Sequence, residues 1–147
     1  MKKALFAVIA LALAVPALAH HSFAMFDQTK TITWTGVATQ FVAQANHAEL
    51  HFVPLGPDGK AMRDQDGKPL SWGVEMAGAA AVAQQGITVA SFPAGTVFSV
   101  HLNPLRDGGN FGSRVGAIAK CPKGKFPEAG KNCDSVEGTE ILGGTTF

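Results

Sequence analysis

The sequence predicts an all-β protein, a small five-stranded OB-like β-barrel with one short helix between strands 3 and 4. Three observations predict this fold. Apolar and polar residues alternate in short segments, turns containing Gly and Pro separate those segments, and a single Ala-rich stretch interrupts them. Five strands with a helix after the third is the order of the OB fold. A β-sandwich would need more strands than the sequence offers.

The first two strands are predicted from their residue patterns. Residues 31–41 are rich in β-branched and aromatic side chains, and Gly36 lies where a strand can bend or bulge. A strand of this length can pair in both halves of a closed sheet. Residues 47–53 alternate strictly, which gives the second strand one apolar face and one ionisable face. The ionisable face carries His47, Glu49 and His51.

The remaining elements follow from turn signals and composition. A turn-rich connection at residues 57–67 separates the second strand from the third. The Ala-rich stretch at residues 78–85 predicts a short helix that ends at Gly86. The third, fourth and fifth strands are predicted at residues 70–76, 96–102 and 114–120.

The first 19 residues have the pattern of a secretory signal peptide. Lys2 and Lys3 form a basic start, residues 5–15 are apolar, and Pro-Ala-Leu-Ala ends the run in the form that signal peptidase cleaves. Cleavage after Ala19 predicts a periplasmic or secreted protein of 128 residues, enough for one compact domain. The predicted organisation is a signal peptide at residues 1–19, an OB-like domain with an N-terminal arm at residues 20–120, and a loop-rich tail at residues 121–147.

The charge balance indicates no electrostatic partner. The chain has 12 Lys and Arg against 11 Asp and Glu, and loss of Lys2 and Lys3 leaves 10 against 11. The sequence shows no basic face for nucleic acid and no cationic amphipathic helix for a membrane surface. No segment after residue 19 has the length of a transmembrane helix. We therefore expect no nucleic-acid partner and no membrane insertion of the mature chain.

The only two cysteines, Cys121 and Cys133, are predicted to form one local disulfide. An exported protein folds in an oxidising compartment, where two neighbouring cysteines usually pair. Their Cys-x11-Cys spacing differs from the Cys-x-x-Cys spacing of most redox pairs. The favoured interpretation is a structural link within the tail.

Four of the five histidines offer a candidate metal site. Cleavage after Ala19 would make His20 the first residue, and its free α-amino group and imidazole form a bidentate chelate. A third nitrogen would come from His21 or His47, with His51 as a less favoured ligand, and copper suits such a set. The alternative is that these are ordinary surface histidines, which need no ligand.

The sequence contains no recognised catalytic signature. It has no nucleophile elbow and no phosphate-binding glycine loop, and Glu75 has no carboxylate partner at a defined spacing. Aromatic residues of the predicted sheet could form a stacking surface for a ligand, although such residues more often form the core. They are Trp34, Phe41, Phe52 and Trp72. These observations favour a non-enzymatic binding or accessory module with an unknown small ligand or protein partner, and the alternative is a copper-binding protein.

The segment after the predicted cleavage site resembles a known family. Residues 20–27, His-His-Ser-Phe-Ala-Met-Phe-Asp, are similar to the opening of the bacterial exported DUF6152 family. Further markers occur in the same order: Gly36-Val37, His47 before a strand, Trp72 with Glu75, Gly86, Pro93-x-Gly95 and Asp107-Gly108. The family's usual Asn-Pro-His is replaced here by Ala45-Asn46-His47, and the cysteine-bearing tail looks like an addition to the family pattern. The resemblance implies a small periplasmic β-domain and supplies no assigned reaction.

Overall fold

The computed structural model describes residues 24–147. Its elements are β1 (Ile32–Val42), β2 (Glu49–Pro54), β3 (Trp72–Glu75), the helix α1 (Ala79–Ala83), β4 (Val97–Pro104), β5 (Phe111–Lys120), a 3-10 turn (Cys133–Ser135) and β6 (Glu140–Leu142). Within the described range, no helix is both long enough and apolar enough to cross a bilayer.

The first five strands close into a barrel. β1 has two antiparallel partners, because residues 36–42 pair with β2 while residues 32–37 pair with β4. β2 also pairs with β3, and β4 with β5. A parallel pairing between β3 and the start of β5 completes the ring. The circular order β1-β2-β3-β5-β4, with α1 between β3 and β4, confirms the predicted OB-like fold.

Most strand boundaries differ from the predicted ones by one to three residues, and the starts of β5 and β2 change the placement of Phe111 and His47. β5 begins at Phe111 rather than at residue 114, and residues 111–113 are the ones that pair with β3. Gly112 interrupts the alternating pattern there, and a parallel pairing with a distant strand leaves no local sequence signal. β2 begins at Glu49, so His47 lies in the loop before the strand rather than within it.

The barrel interior contains the main hydrophobic core. Its members include Leu50, Phe52, Trp72, Val74, Val82, Ile87, Phe98, Val100 and Ile118. Trp34 and Phe41 pack against this core, so the aromatic residues of the sheet belong to its interior rather than to an exposed stacking surface. Gly36 faces the core as well, where a Cβ atom would overlap the ring of Phe52. The register shift of β1 lies between Ala38 and Gln40, so Gly36 permits close packing and does not mark the bulge.

The C-terminal tail covers the outer face of β1, β4 and β5. A second apolar cluster forms between this face and the tail, from Val97, Ala119, Cys121 and Cys133, with Val37, Val136, Ile141 and Phe147 packed against it. A disulfide joins Cys121 to Cys133, as the sequence predicts. β6 pairs antiparallel with the end of β5, a strand that the predicted loop-rich tail does not include.

Hydrogen bonds also attach the tail to the covered face. Thr35 and Ser99 point outward from β1 and β4, yet both are buried, and their hydroxyl oxygens lie 2.6 Å apart. The backbone N–H of Cys133 donates to the Ser99 hydroxyl at 2.8 Å, and the Thr35 hydroxyl donates to Oδ1 of Asn132 at 3.0 Å. Buried hydroxyls need such partners, so the tail satisfies polar groups that it has itself removed from water.

Candidate ligand-binding face

The outer face of β2 and β3 carries a cluster of ionisable side chains. Leu50 and Val74 point into the core, so their neighbours Glu49 and Glu75 point outward. Glu49 lies directly opposite Glu75 in the antiparallel pairing, and His51 lies opposite Gly73. Two carboxylates that are 26 positions apart in the sequence are therefore neighbours on one surface.

Each carboxylate has a histidine partner. Nε2 of His51 lies 2.9 Å from Oε2 of Glu49, and Nδ1 of His47 lies 3.3 Å from Oε1 of Glu75. The side chain of Glu75 is 15% exposed and that of His47 is 39% exposed, so the cluster extends from a sheltered carboxylate to an accessible imidazole. We refer to these four residues as the His/Glu cluster.

The surroundings of Glu75 perturb its carboxyl group electrostatically. Burial raises the pKa of its carboxyl group, and the neighbouring Glu49 charge raises the pKa further. His47 acts in the opposite direction and lowers the Glu75 pKa, but burial is the largest influence. In the described residues, neither Glu49 nor Glu75 is paired with a Lys or Arg. A cation from outside the described residues would therefore be stabilised by these two carboxylates.

An aromatic ring borders the His/Glu cluster. The ring of Phe111 lies over Gly73, where a Cβ atom would overlap it, so the absence of a side chain at this position makes room for the ring. The centroids of the Phe111 and His51 rings are 6.4 Å apart. Phe111 is partly exposed, so it extends the cluster with an accessible apolar edge.

Two loops flank this face. The loop at residues 43–48 leads from β1 into β2 and carries His47. The loop at residues 105–110 leads from β4 into β5, and the carbonyl of Asn110 accepts a hydrogen bond from the N–H of Gly73 at 3.1 Å. In OB folds, the face of strands 2 and 3 and these two loops are the usual binding surface.

The start of the described chain lies beside the second loop. The N–H of Arg106 donates to the carbonyl of Met25 at 2.9 Å, and Phe26 forms a bridge with Leu105. The Phe26 and Phe111 rings are stacked with centroids 6.4 Å apart. The N-terminal arm is thus attached next to the aromatic edge of the candidate face.

The structure describes two of the four histidines that the sequence predicts as candidate metal ligands. His47 and His51 both belong to the His/Glu cluster, whereas His20 and His21 lie outside the described residues. His101 accepts or donates a 2.7 Å hydrogen bond with the hydroxyl of Thr33 and stacks on Phe147, which fits a structural role. Sequence reasoning missed the pairing of Glu49 with Glu75 and the contribution of Phe111, because no local pattern records either contact.

The described residues do not complete a metal site by themselves. Within residues 24–147, no three His, Cys, Asp or Glu side chains are arranged to hold one metal ion. His47 and His51 each engage a different carboxylate. A metal ion on this face would therefore need at least one ligand from elsewhere, and the predicted amine and imidazole of His20 are ligands of that kind.

The fold and the exposed His/Glu cluster define the class of this protein as a small OB-like barrel with an ionisable outer face. Residues 8–114 match the family described as "Family of unknown function (DUF6152)", and the chain belongs to this family. The match ends within β5 and does not include the tail. No curated protein and no solved structure shows significant similarity to the chain.

Proposed function

We propose that this protein is an exported, non-enzymatic binding module that recognises its ligand with the outer face of β2 and β3. The observation that carries the proposal is the position of the His/Glu cluster, on the surface that OB folds commonly use for binding. Export rests on the signal-peptide pattern of the first 19 residues. The ligand is a small molecule or a partner segment that reaches the two flanking loops.

The chemistry of the face favours a ligand with a cationic or hydrogen-donating group. Glu49 and Glu75 repel each other, and this repulsion contributes to the raised pKa of Glu75. A cation placed between them would relieve the repulsion and lower that pKa. Phe111 adds an aromatic edge on which the apolar part of such a ligand can pack. Ligands of this class include ammonium groups, guanidinium groups and divalent cations.

Nuclear magnetic resonance titration with defined cations tests this proposal. The probes are spermidine, a lysine-rich peptide and Zn²⁺, each added to isotope-labelled protein. We expect the shifted backbone amides to cluster in β2, β3 and residues 43–48 and 105–110. Replacement of both carboxylates, Glu49→Gln with Glu75→Gln, should weaken binding about tenfold or more, because charge-assisted hydrogen bonds are lost.

A matched double variant controls for the change in net charge. Asp58→Asn with Asp66→Asn removes two exposed carboxylates from the β2–β3 connection and should leave binding unchanged. The proposal fails if the shifts cluster instead at the cavity of about 280 Å³ beside Thr33 and Asn132. It also fails for this ligand class if none of the three probes binds, or if both double variants bind like the parent.

The second candidate function is copper binding through the processed amino terminus. The observation that favours it is the chain of ring contacts from Phe26 through Phe111 to His51, which attaches the arm beside the His/Glu cluster. The four residues from His20 to Phe23 span at most about 14 Å when extended. The amine and imidazole of His20 would then combine with His21 and with His51 or His47. Copper prefers such nitrogen-rich sets.

Calorimetric titration with Cu(II) tests this second candidate. The protein must first be shown by mass spectrometry to begin at His20, because a retained leader or an added tag would block the amine. We expect His20→Ala to lose tight binding, and whichever of His47→Ala and His51→Ala weakens binding identifies the third ligand. If all four proteins bind copper equally weakly, or if processing leaves a different first residue, copper binding is refuted.

A further inference from the structure

The loop closed by the disulfide presents an exposed aromatic side chain. Phe126 lies between Cys121 and Cys133 and is 57% exposed. In residues 24–147 it is the one Phe or Trp that is exposed, since the others are buried or partly buried. Val89, which is also 57% exposed, directly precedes residues 90–91, and these residues line one cavity together with residues 121–124 of the loop. An aromatic residue left in water on a covalently closed loop is a candidate contact residue.

Lysines surround this aromatic residue. Residues 120–131 contain Lys120, Lys123, Lys125 and Lys131 but only one acidic residue, Glu128. Lys131 is paired with Glu128 at 2.6 Å, and Lys120 with Glu140 at 2.5 Å. In the described part of the chain, Lys123 and Lys125 have no carboxylate partner. Both lysines are close to Phe126 in the sequence, since Lys125 directly precedes it and Lys123 lies three positions before it.

A cavity lies beside this loop. It has a volume of about 310 Å³ and is bordered by the loop residues Pro122, Lys123 and Gly124 and by the segments at residues 90–91 and 93–97. Lys120 also lines it. Val89 directly precedes one lining segment, and Lys125 and Phe126 directly follow the other, which ends at Gly124. We call these four exposed residues beside the cavity, Val89, Lys123, Lys125 and Phe126, the Lys/Phe patch.

We propose that the Lys/Phe patch docks the protein reversibly on an anionic phospholipid surface. Lys123 and Lys125 would contact lipid phosphates, and Phe126 would enter the interface between headgroups and acyl chains, where aromatic side chains are favoured. The nearly neutral composition of the whole chain conceals this surface, because acidic residues elsewhere balance the lysines. The ligand face of β2 and β3 and this patch belong to different elements, so the proposal stands independently of the proposed function.

The composition of the patch favours a lipid surface over a protein partner. A stable protein interface buries on the order of 800 Å² on each side around a well-packed apolar centre. The patch offers only Val89 and Phe126 as exposed large apolar residues. Binding to a charged bilayer requires much less buried apolar surface. Each lysine near the bilayer adds electrostatic attraction, and one inserted aromatic side chain adds hydrophobic stabilisation. The resulting contact is weak, and salt should weaken it further.

Vesicle co-sedimentation tests the proposal. The probes are vesicles of phosphatidylcholine alone and of phosphatidylcholine mixed with phosphatidylglycerol, and every protein preparation is checked for complete leader removal. We expect binding only to the anionic vesicles, with a loss at high salt. Lys123→Gln with Lys125→Gln should reduce the partition coefficient about 30-fold, and Phe126→Ala about tenfold.

Matched variants and a fluorescent reporter make the result specific. Lys30→Gln with Lys68→Gln removes the same charge outside the patch and should bind like the parent, as should Met25→Ala, which truncates another exposed apolar residue. Phe126→Trp should show a blue shift in emission on binding anionic vesicles. The proposal is overturned if no vesicle binding occurs, if the patch variants bind like their controls, or if acidic polyglutamate is bound while the vesicles are not.

Discussion

The outer face of β1, β4 and β5 is covered by the chain's own tail, whereas residues 24–147 leave the outer face of β2 and β3 open. The covered face is largely apolar, and its two buried hydroxyls form hydrogen bonds with the tail, Ser99 as acceptor and Thr35 as donor. The open face is ionisable, and in the described part of the chain the ion-pair partners of its two carboxylates are histidines. Solvation explains the difference. Covering apolar surface lowers the free energy of the folded protein, whereas covering charged groups removes their hydration and raises it.

The contrast assigns different roles to the two faces. The tail lies outside the range that matches the family, while β2 and β3 lie inside it. The tail that covers the first face therefore extends beyond the family match, and the open face is the one to which the proposed function assigns recognition. Variants that act on one face should leave the property of the other face unchanged.

The largest expected effect comes from removing the covalent attachment of the tail. Cys121→Ala with Cys133→Ala should lower the free energy of unfolding by about 3 kcal/mol, because the unfolded chain regains the entropy of an open loop. Chemical denaturation of the parent and the variant measures this difference. Binding of the cation probes to the open face should persist in the folded variant. A loss of stability below about 1 kcal/mol would contradict the role assigned to the covered face.

An intermediate effect on stability is expected at Gly73, which lies beneath the Phe111 ring on the open face. Gly73→Ala places a Cβ atom in the space occupied by the Phe111 ring, and the ring must move. We expect a destabilisation of about 1 to 2 kcal/mol, measured by thermal or chemical unfolding, together with altered binding of the cation probes. The control is the same substitution in a Phe111→Ala background, where it should be nearly neutral. Equal destabilisation in both backgrounds would show that the ring is not responsible.

The smallest expected effect concerns the pH dependence of stability at Glu75. Its pKa is raised in the folded protein, so the folded state binds the proton more tightly than the unfolded chain does. Stability therefore falls as the pH rises from the ordinary Glu pKa through the raised value. Glu75→Gln removes this contribution, and its stability relative to the parent should increase over that range.

Unfolding curves at a series of pH values measure this change. Because His47 contacts Glu75, the comparison is repeated in a His47→Gln background, which removes the opposing influence of the imidazole. The raised pKa should then produce a steeper relative change. A parent protein whose stability rises with pH over this range, compared with Glu75→Gln, would refute the electrostatic description of the open face.

The sequence was most informative about elements that depend on neighbouring residues. Alternation and β-branched composition placed β1 and most of β2, and the Ala-rich stretch before Gly86 placed α1. It was less informative where an element depends on a distant partner. The first residues of β5 pair with β3, and β6 pairs with β5, and neither segment carries an alternating pattern of sufficient length.

The candidate site shows the same division. Glu49 and His51 could be assigned to one polar face, because they are two positions apart on a strand. Their proximity to Glu75 and Phe111 could not be predicted from the sequence, because strand register and barrel closure bring those residues together. The predicted contributions of His20 and His21 lie outside the described residues and remain predictions.

The sequence by itself determined the local features of this protein: the order of its strands and turns, its short helix, its cysteine pair and its signal-peptide pattern. Each depends on residues close together in the chain, where periodicity, turn chemistry and composition act directly. Tertiary structure alone decided which outer face is covered and which carboxylates are neighbours. Those outcomes depend on pairings across many residues, whose energy is realised only when the barrel closes and the tail packs against it.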